Sequence, residues 1–493
     1  MAFRVEEATI EDIHAAMQAG ELSCRQLVEA YLRRIAAYDE EGPRLNAIVS
    51  VNPHALEQAD ALDDELARRG TIARPLHGIP VLVKDCIETR EMPTTFGSVA
   101  IGDYRPARDA AVVRRLEAAG AVILAKTTLA DFTASWFSYS SVSGDTRNPY
   151  ALDRDSGGSS AGSAAGVAAN LGCVGIGTDC GGSIRLPSSF NNLVGIRGTT
   201  GLVSRAGSSV LLNVQDTIGP LARTVADAAA VFATLVGYDP DDPYTAAATL
   251  RDRAATAEPV ALAEARIGVL RTESGPDGDE AVAIAEVVES GLAVMRDAGA
   301  TLVDVVVPEL PAWLEATSLY RGRMRADIDA FLATRPGLPV RSLREIHERG
   351  LYDSRLDLIG VAVDGPRDPD SDAGVLRRHV AREEFTRLLL NVLAGSRLHA
   401  LAYPSVNALA PRRDGPAPAT LSFPTNTLIA SQAGMPAISL PAGFTPEGFP
   451  VGLELLGKPY DEATLFRLGL GFEHAAECRR PPLSAPELAA SAA

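Results

Sequence analysis

The sequence predicts an α/β protein: a large, twisted, mixed but mainly parallel sheet covered by helices on both faces. Three observations carry this. Short apolar runs such as GIPVLV (78–83) and AVILAK (121–126) are preceded by glycine or closed by lysine, the form of buried strands. Helical segments alternate with those runs, the order that places helices against a parallel sheet. A helix–Gly–strand unit occurs at 109–126 through Gly120 and again at 286–307 through Gly299, with no tandem repeat of sequence.

Taken in order, residues 8–70 read as helices. Ser23 and Gln26 have the spacing of a capping box, and Leu27, Tyr31 and Ile35 follow at four-residue spacing. A second helix over 54–69 carries Ala55, Ala59, Leu62 and Leu66 on one face and stops at Gly70. The GIPVLV strand then delivers Lys84 and Asp85 at its end. In DAAVVRRLEAAGAVILAK (109–126), Asp109 is the expected N-cap. Arg266–Leu270 and Leu398–Tyr403 are further strands. Residues 310–395 are helical, charged and irregular, and read as a cover over one edge. The chain reads as a single domain over 1–480, with a core at about 75–235 and a frayed tail at 481–493.

Composition narrows the function. A formal charge of −17 argues against a nucleic-acid surface. No apolar run approaches the roughly 18 residues of a membrane span, and the N-terminus lacks the build of a signal peptide. The five cysteines contain no CxxC pair, which points to free thiols in a reducing cytoplasm, with no metal and no cofactor. Of 46 basic residues only Lys84, Lys126 and Lys458 are lysines. Lysines kept in so arginine-biased a chain are candidates for losing a proton near neutral pH, which arginine cannot do; survival by chance is the plain alternative.

Two glycine–serine segments lie close together, DSGGSSAGSAAG (155–166) and GTDCGGSIRLP (177–187). The first runs into a small-residue helix and the second leaves a strand, unlike a linker. A phosphate loop requires Gly-Lys-Ser/Thr, and no lysine occurs between 126 and 458. No strand–GxGxxG–helix order marks a dinucleotide site. The remaining reading is nucleophilic catalysis by serine, which needs a base. None of the seven histidines sits in a recognisable triad context, although triad partners are spatial neighbours and a histidine stays open. Lysine scarcity favours Lys84.

GIPVLVKD, GGSSAGSAA and GTDCGGSIRLPSSFNNLVGIRGTTGLVS resemble the core motifs of the amidase signature family of serine hydrolases. RNPY, QDTIGPLARTVADAA, TNTLIASQAGMPAISLPAG and PVGLELLGKPYDE extend the resemblance over about residues 8–475. It implies that Ser183 is the nucleophile, Ser159 the bridging serine, and Lys84 the base. It also implies a cis peptide bond before Ser159. Backbone N–H groups of Cys180, Gly181, Gly182 and Ser183 would form an oxyanion hole. Lys84 must be neutral to serve, which burial achieves.

Asp179 and Arg185 are expected to hold the loop by an ion pair, and Ser160 to be either a supporting hydrogen-bond partner or a helix N-cap. Lys126 reads as structural and Lys458 as a loop charge. The chain departs from the family at Ser156, Ala161 and Cys180, where Pro, Gly and Thr are usual. Each replacement is small, so changed loop packing is expected rather than lost activity. TASWFSYSS (133–141) resembles one wall of the acyl pocket, with Trp136, Phe137 and Tyr139 making it apolar, and 310–395 supplying another wall. The reading is a hydrolase of small hydrophobic or aryl amides or carbamates, monomeric or homodimeric, with no nucleic-acid or membrane partner. The alternatives are the glutaminase-type component of a tRNA-dependent amidotransferase (its A subunit) and a catalytically silent binding protein.

Overall fold

The computed structural model describes residues 3–209, 211–250, 262–271 and 277–488. Eleven strands form one sheet: β1 (Ile48–Val51), β2 (Pro80–Lys84), β3 (Val122–Thr127), β4 (Val174–Asp179), β5 (Val194–Arg197), β6 (Thr217–Ala222), β7 (Arg266–Leu270), β8 (Thr301–Val305), β9 (Ala400–Pro404), β10 (Ala437–Phe444) and β11 (Pro450–Leu456). Their spatial order is β1-β3-β2-β4-β6-β5-β10-β11-β9-β7-β8. The sheet is mixed as expected, but it is not mainly parallel. Four neighbouring pairs are parallel and six antiparallel. β4, β6 and β11 are buried along their whole length, so continuous apolar runs reported burial on both faces and not strand direction. Between β10 and β11 only residues 445–449 intervene, too few for a parallel crossover.

Three helices open the chain: α1 (Ile10–Gln18), α2 (Cys24–Arg34) and α3 (Ala55–Arg69). The capping box of α2 is present, Ser23 accepting from the Gln26 N–H and Gln26 from the Ser23 N–H, and α3 ends at Gly70 in the left-handed conformation. α4 (Ala111–Ala118) starts later than expected, and Asp109 is not its cap. The Asp109 carboxylate accepts from the Arg90 N–H at 2.7 Å, while the Ala110 and Ala111 N–H groups donate to the Glu88 and Ala206 carbonyls. α5 (Ala161–Ala168), α6 (Arg185–Phe190), α7 (Val225–Leu235) and α8 (Asp279–Asp297) follow. The expected cover consists of α9 (Leu310–Thr317), α10 (Tyr320–Ala333), α11 (Leu343–Glu348), α12 (Asp357–Ala362) and α13 (Ala373–Gly395). α14 (Leu428–Ala433) and α15 (Glu462–Ala476) complete the chain. No helix among the described residues is long and apolar enough to cross a membrane.

The terminus expected to fray is tied down over 481–488. Ala485 is 3% exposed, and its carbonyl and that of Pro486 accept from the buried Arg34 guanidinium at 2.9 and 3.0 Å. Tyr38 Oη also donates to Pro486 O at 2.7 Å. Buried arginine donors need acceptors, and this segment brings two of them. Residues 489–493 lie outside the described residues.

Candidate active site

β2 and β4 lie side by side and parallel, with Val83 opposite Ile176. Their C-terminal ends therefore deliver Lys84 and the 178–183 loop to one place, although the two strands are far apart in sequence. Lys84 is fully buried. Its Nζ donates to Ser159 Oγ and to Thr178 Oγ1, each at 2.7 Å. Asp85, its neighbour in sequence, is ion-paired instead with Lys126 at 2.6 Å, which gives Lys126 the structural role expected of it. Among the described residues no carboxylate lies within ion-pair distance of Lys84. Burial pushes its pKa down to about 8, against the raising influence of Cys86, Asp216 and Asp179. Lys458 is exposed, as expected of a loop charge.

The Gly158–Ser159 peptide bond is cis, as the family resemblance implies. Gly157 N–H donates to Asp155 Oδ1 at 2.7 Å, and Gly158 N–H to Trp136 O at 2.7 Å. Ser160 stands at the N-cap position of α5 but makes no capping bond. Its hydroxyl instead donates to Thr178 O and accepts from Thr178 N–H, both at 3.3 Å. Ser160 N–H donates to Ser183 O at 3.3 Å, which ties the two serine segments together beside Ser159. Ser160 thus supports the site and does not cap the helix.

Ser183, 4% exposed, lies between β4 and α6. The loop before it is fixed by Asp179, whose carboxylate accepts from Arg185 Nε at 3.0 Å and Arg197 Nη1 at 3.1 Å. Burial would raise the Asp179 carboxyl, but Arg185 and Arg197 outweigh it and hold it well below the usual carboxylate range. Asp179 Oδ1 also accepts from Gly182 N–H at 2.9 Å. That bond removes Gly182 from the expected set of oxyanion donors. Among the described residues the N–H groups of Cys180, Gly181 and Ser183 have no acceptor, so these three form the candidate oxyanion hole. Neither glycine admits a side chain: a Cβ on Gly181 would lie 2.1 Å from Tyr320 Oη, and one on Gly182, where φ is +125°, 2.0 Å from Thr427 Oγ1.

The three aromatic residues divide. Trp136 reaches Gly181, its Cζ2 lying 3.3 Å from where a Cβ there would stand. Phe137 and Tyr139 are core residues rather than pocket wall. Phe137 is wholly buried edge-on to Phe423, and Tyr139 lies beneath the Arg355 guanidinium. A cavity of about 540 Å³ adjoins the Gly181 side of the loop through Tyr320 and Leu428. Its lining is mixed, with Leu314, Val361, Leu421 and Phe423 beside the charged side chains of Glu315, Arg321, Asp357 and Arg378. Residues of the 310–395 cover supply part of this wall; Leu421, Phe423 and Leu428 come from a C-terminal stretch to which sequence reasoning gave no pocket role. Sequence reasoning also missed Thr178 and Gln215, although both stand inside the quoted motifs GTD and QDTIGP.

A buried lysine–serine pair under a glycine loop, on a mixed sheet sandwiched by helices, defines the class: an amidohydrolase. The chain matches the Amidase family profile over residues 26–466 and belongs to that family. It is 36% identical to the A subunit of the glutamyl-tRNA(Gln) amidotransferase from Anaeromyxobacter sp. (strain K), over 97% of each chain. It is 33% identical to a probable amidase of Arabidopsis thaliana, over 97% of this chain and 92% of the relative. The peptide amidase of Stenotrophomonas maltophilia matches with a TM-score of 0.82 at 36% identity, over 97% of this chain and 98% of that one.

Proposed function

We propose that this chain hydrolyses small hydrophobic or aryl carboxamides through an acyl-enzyme on Ser183, with Ser159 and Lys84 as proton relay. The observation that carries the reading is the Lys84 amine, buried without a carboxylate partner and 2.7 Å from Ser159 Oγ. A neutral amine there keeps an N–H on Thr178 and takes the Ser159 proton. Ser159 in turn takes the proton of Ser183 as Ser183 Oγ bonds to the substrate carbonyl carbon. The oxyanion of the tetrahedral intermediate faces the N–H groups of Cys180, Gly181 and Ser183. The relay then returns the proton to the departing nitrogen, so that an amine leaves rather than an amide anion. Water attacks the acyl-enzyme by the same path and releases the acid. The apolar stretch of the cavity wall formed by Leu314, Leu421, Phe423 and Leu428 offers a place for an apolar acyl group, with the charged side chains of Glu315, Arg321, Asp357 and Arg378 in the same cavity. Carbamates present the same carbonyl and C–N bond to this apparatus.

The second reading, a component of a tRNA-dependent amidotransferase, has the likeness to the Anaeromyxobacter protein in its favour. A panel of acyl anilides, primary amides, esters and carbamates, with glutamine alongside, separates the two. The isolated chain is expected to turn over non-glutamine amides with apolar acyl groups, and Ser183→Ala to abolish both turnover and labelling by a fluorophosphonate. Near wild-type rates in Ser183→Ala would overturn the assignment, and activity confined to glutamine would favour the amidotransferase reading.

A further inference from the structure

Arg382, on α13, is 8% exposed, yet among the described residues no carboxylate lies within ion-pair distance of it. Burial presses its pKa down to about 10, so it remains charged at neutral pH. A buried cation without a counter-ion is costly and is kept where its field is used. Its Nη1 donates to the side-chain carbonyl of Gln215, and its Nη2 to Ser431 O at 3.4 Å. Gln215 Nε2 donates onward to Cys180 O at 2.6 Å. The Cys180 carbonyl and the Gly181 N–H belong to one peptide unit.

We propose that Arg382 is a positioning residue for the oxyanion hole, acting through Gln215 on the Cys180–Gly181 peptide. Each bond in the chain withdraws electron density toward the guanidinium. The cation polarises the Gln215 amide, the amide polarises the Cys180 carbonyl, and the Gly181 N–H becomes a stronger donor to a developing oxyanion. The same two hydrogen bonds fix the plane of that peptide, which Tyr320 and Trp136 only border. The charge therefore favours the tetrahedral intermediate over the bound amide, and its loss falls on kcat. The inference rests on acyl transfer at Ser183.

The test compares wild type, Arg382→Met, Gln215→Met and the double variant on one acyl anilide and against a trifluoromethyl ketone of the same acyl group. Each single change should lower kcat about 10- to 100-fold, less than outright removal of an oxyanion donor, with KM within about twofold. The inhibition constant of the ketone should rise by the same factor, and the double variant should lose no more than either single one. Unchanged kcat, a loss carried by KM, an unmoved ketone constant, or losses that multiply would each overturn the proposal. If Arg382→Met does not fold, Arg382→Gln removes the charge but keeps an N–H donor for Gln215; lowered kcat at unchanged KM is again expected, and wild-type kcat overturns the proposal. Fluorophosphonate inactivation separates this inference from its premise. A wild type that resists labelling at Ser183 fails the proposed chemistry, whereas Arg382→Met labelled at the wild-type rate fails this inference alone.

Discussion

Replacing Lys84 by methionine should abolish activity and, at neutral pH, make the protein more stable. A lysine drawn from 10.5 to about 8 by burial costs the fold about 3 kcal/mol wherever both states hold the proton. The sign follows from proton counting. Between about 8 and 10.5 the unfolded chain binds the proton that the folded chain has lost, so stability rises with pH through that window. The penalty is fully present below pH 8 and has fallen to about 1 kcal/mol by pH 10. Methionine removes it but leaves the hydroxyls of Ser159 and Thr178 without the N–H groups they accept, a loss of about 1 kcal/mol each. The net expectation is a gain of about 1 kcal/mol at pH 7 and a loss of similar size at pH 10. Paired urea melts of wild type and Lys84→Met at the two pH values measure this, because titrations common to both chains cancel. A Lys84→Met variant less stable than wild type at pH 7 by an amount that does not change at pH 10 would refute the reasoning, since Lys84 would then be neither desolvated nor displaced in pKa.

The same displaced pKa fixes the kinetic profile. Since only the neutral amine accepts a proton, kcat/KM should rise about tenfold from pH 7 to pH 9 and then level, and Lys84→Arg should lose activity at every pH; a flat profile from pH 7 to 9 would count against the neutral-lysine base. Deleting residues 481–493 removes the Ala485 and Pro486 carbonyls from Arg34 and should lower stability by about 2 kcal/mol, read as a lower urea midpoint. KM for an acyl anilide should be unchanged, because this contact lies at the N-terminal helices.

Much of the site was legible because its parts are local. The segment 155–166 enters a helix and 177–187 leaves a strand within a few residues, so serine, glycine and lysine positions follow from short motifs. Capping likewise depends on residues three apart, and the Ser23–Gln26 box is present. Asp109 shows the limit of that rule. Its neighbours' N–H groups found carbonyls at Glu88 and Ala206, and a side-chain cap became unnecessary. Strand direction was illegible for a different reason: an apolar run reports that both faces are covered and is silent about which way the chain runs. Phe137 and Tyr139 failed in the same manner, since an aromatic side chain beside a catalytic loop is equally suited to the pocket and to the core beneath it.

The deepest part of the site depends on which distant group reaches which charge. Lys84 and Asp85 are adjacent in sequence and invite pairing. Lys84 closes β2 and Asp85 begins the turn after it, while β3 lies alongside β2 with Val83 opposite Lys126. Asp85 is therefore taken by Lys126, and Lys84 is left with hydroxyls alone. Asp179 is satisfied in the same way from afar, by Arg185 and Arg197, while Arg185 also engages Glu454 on β11. The loop's carboxylate is thereby held by guanidinium groups and does not neutralise the lysine. Three lysines in 493 residues single out position 84; its low pKa comes from burial, and no carboxylate pairs with it because Asp85 and Asp179 are engaged by Lys126, Arg185 and Arg197.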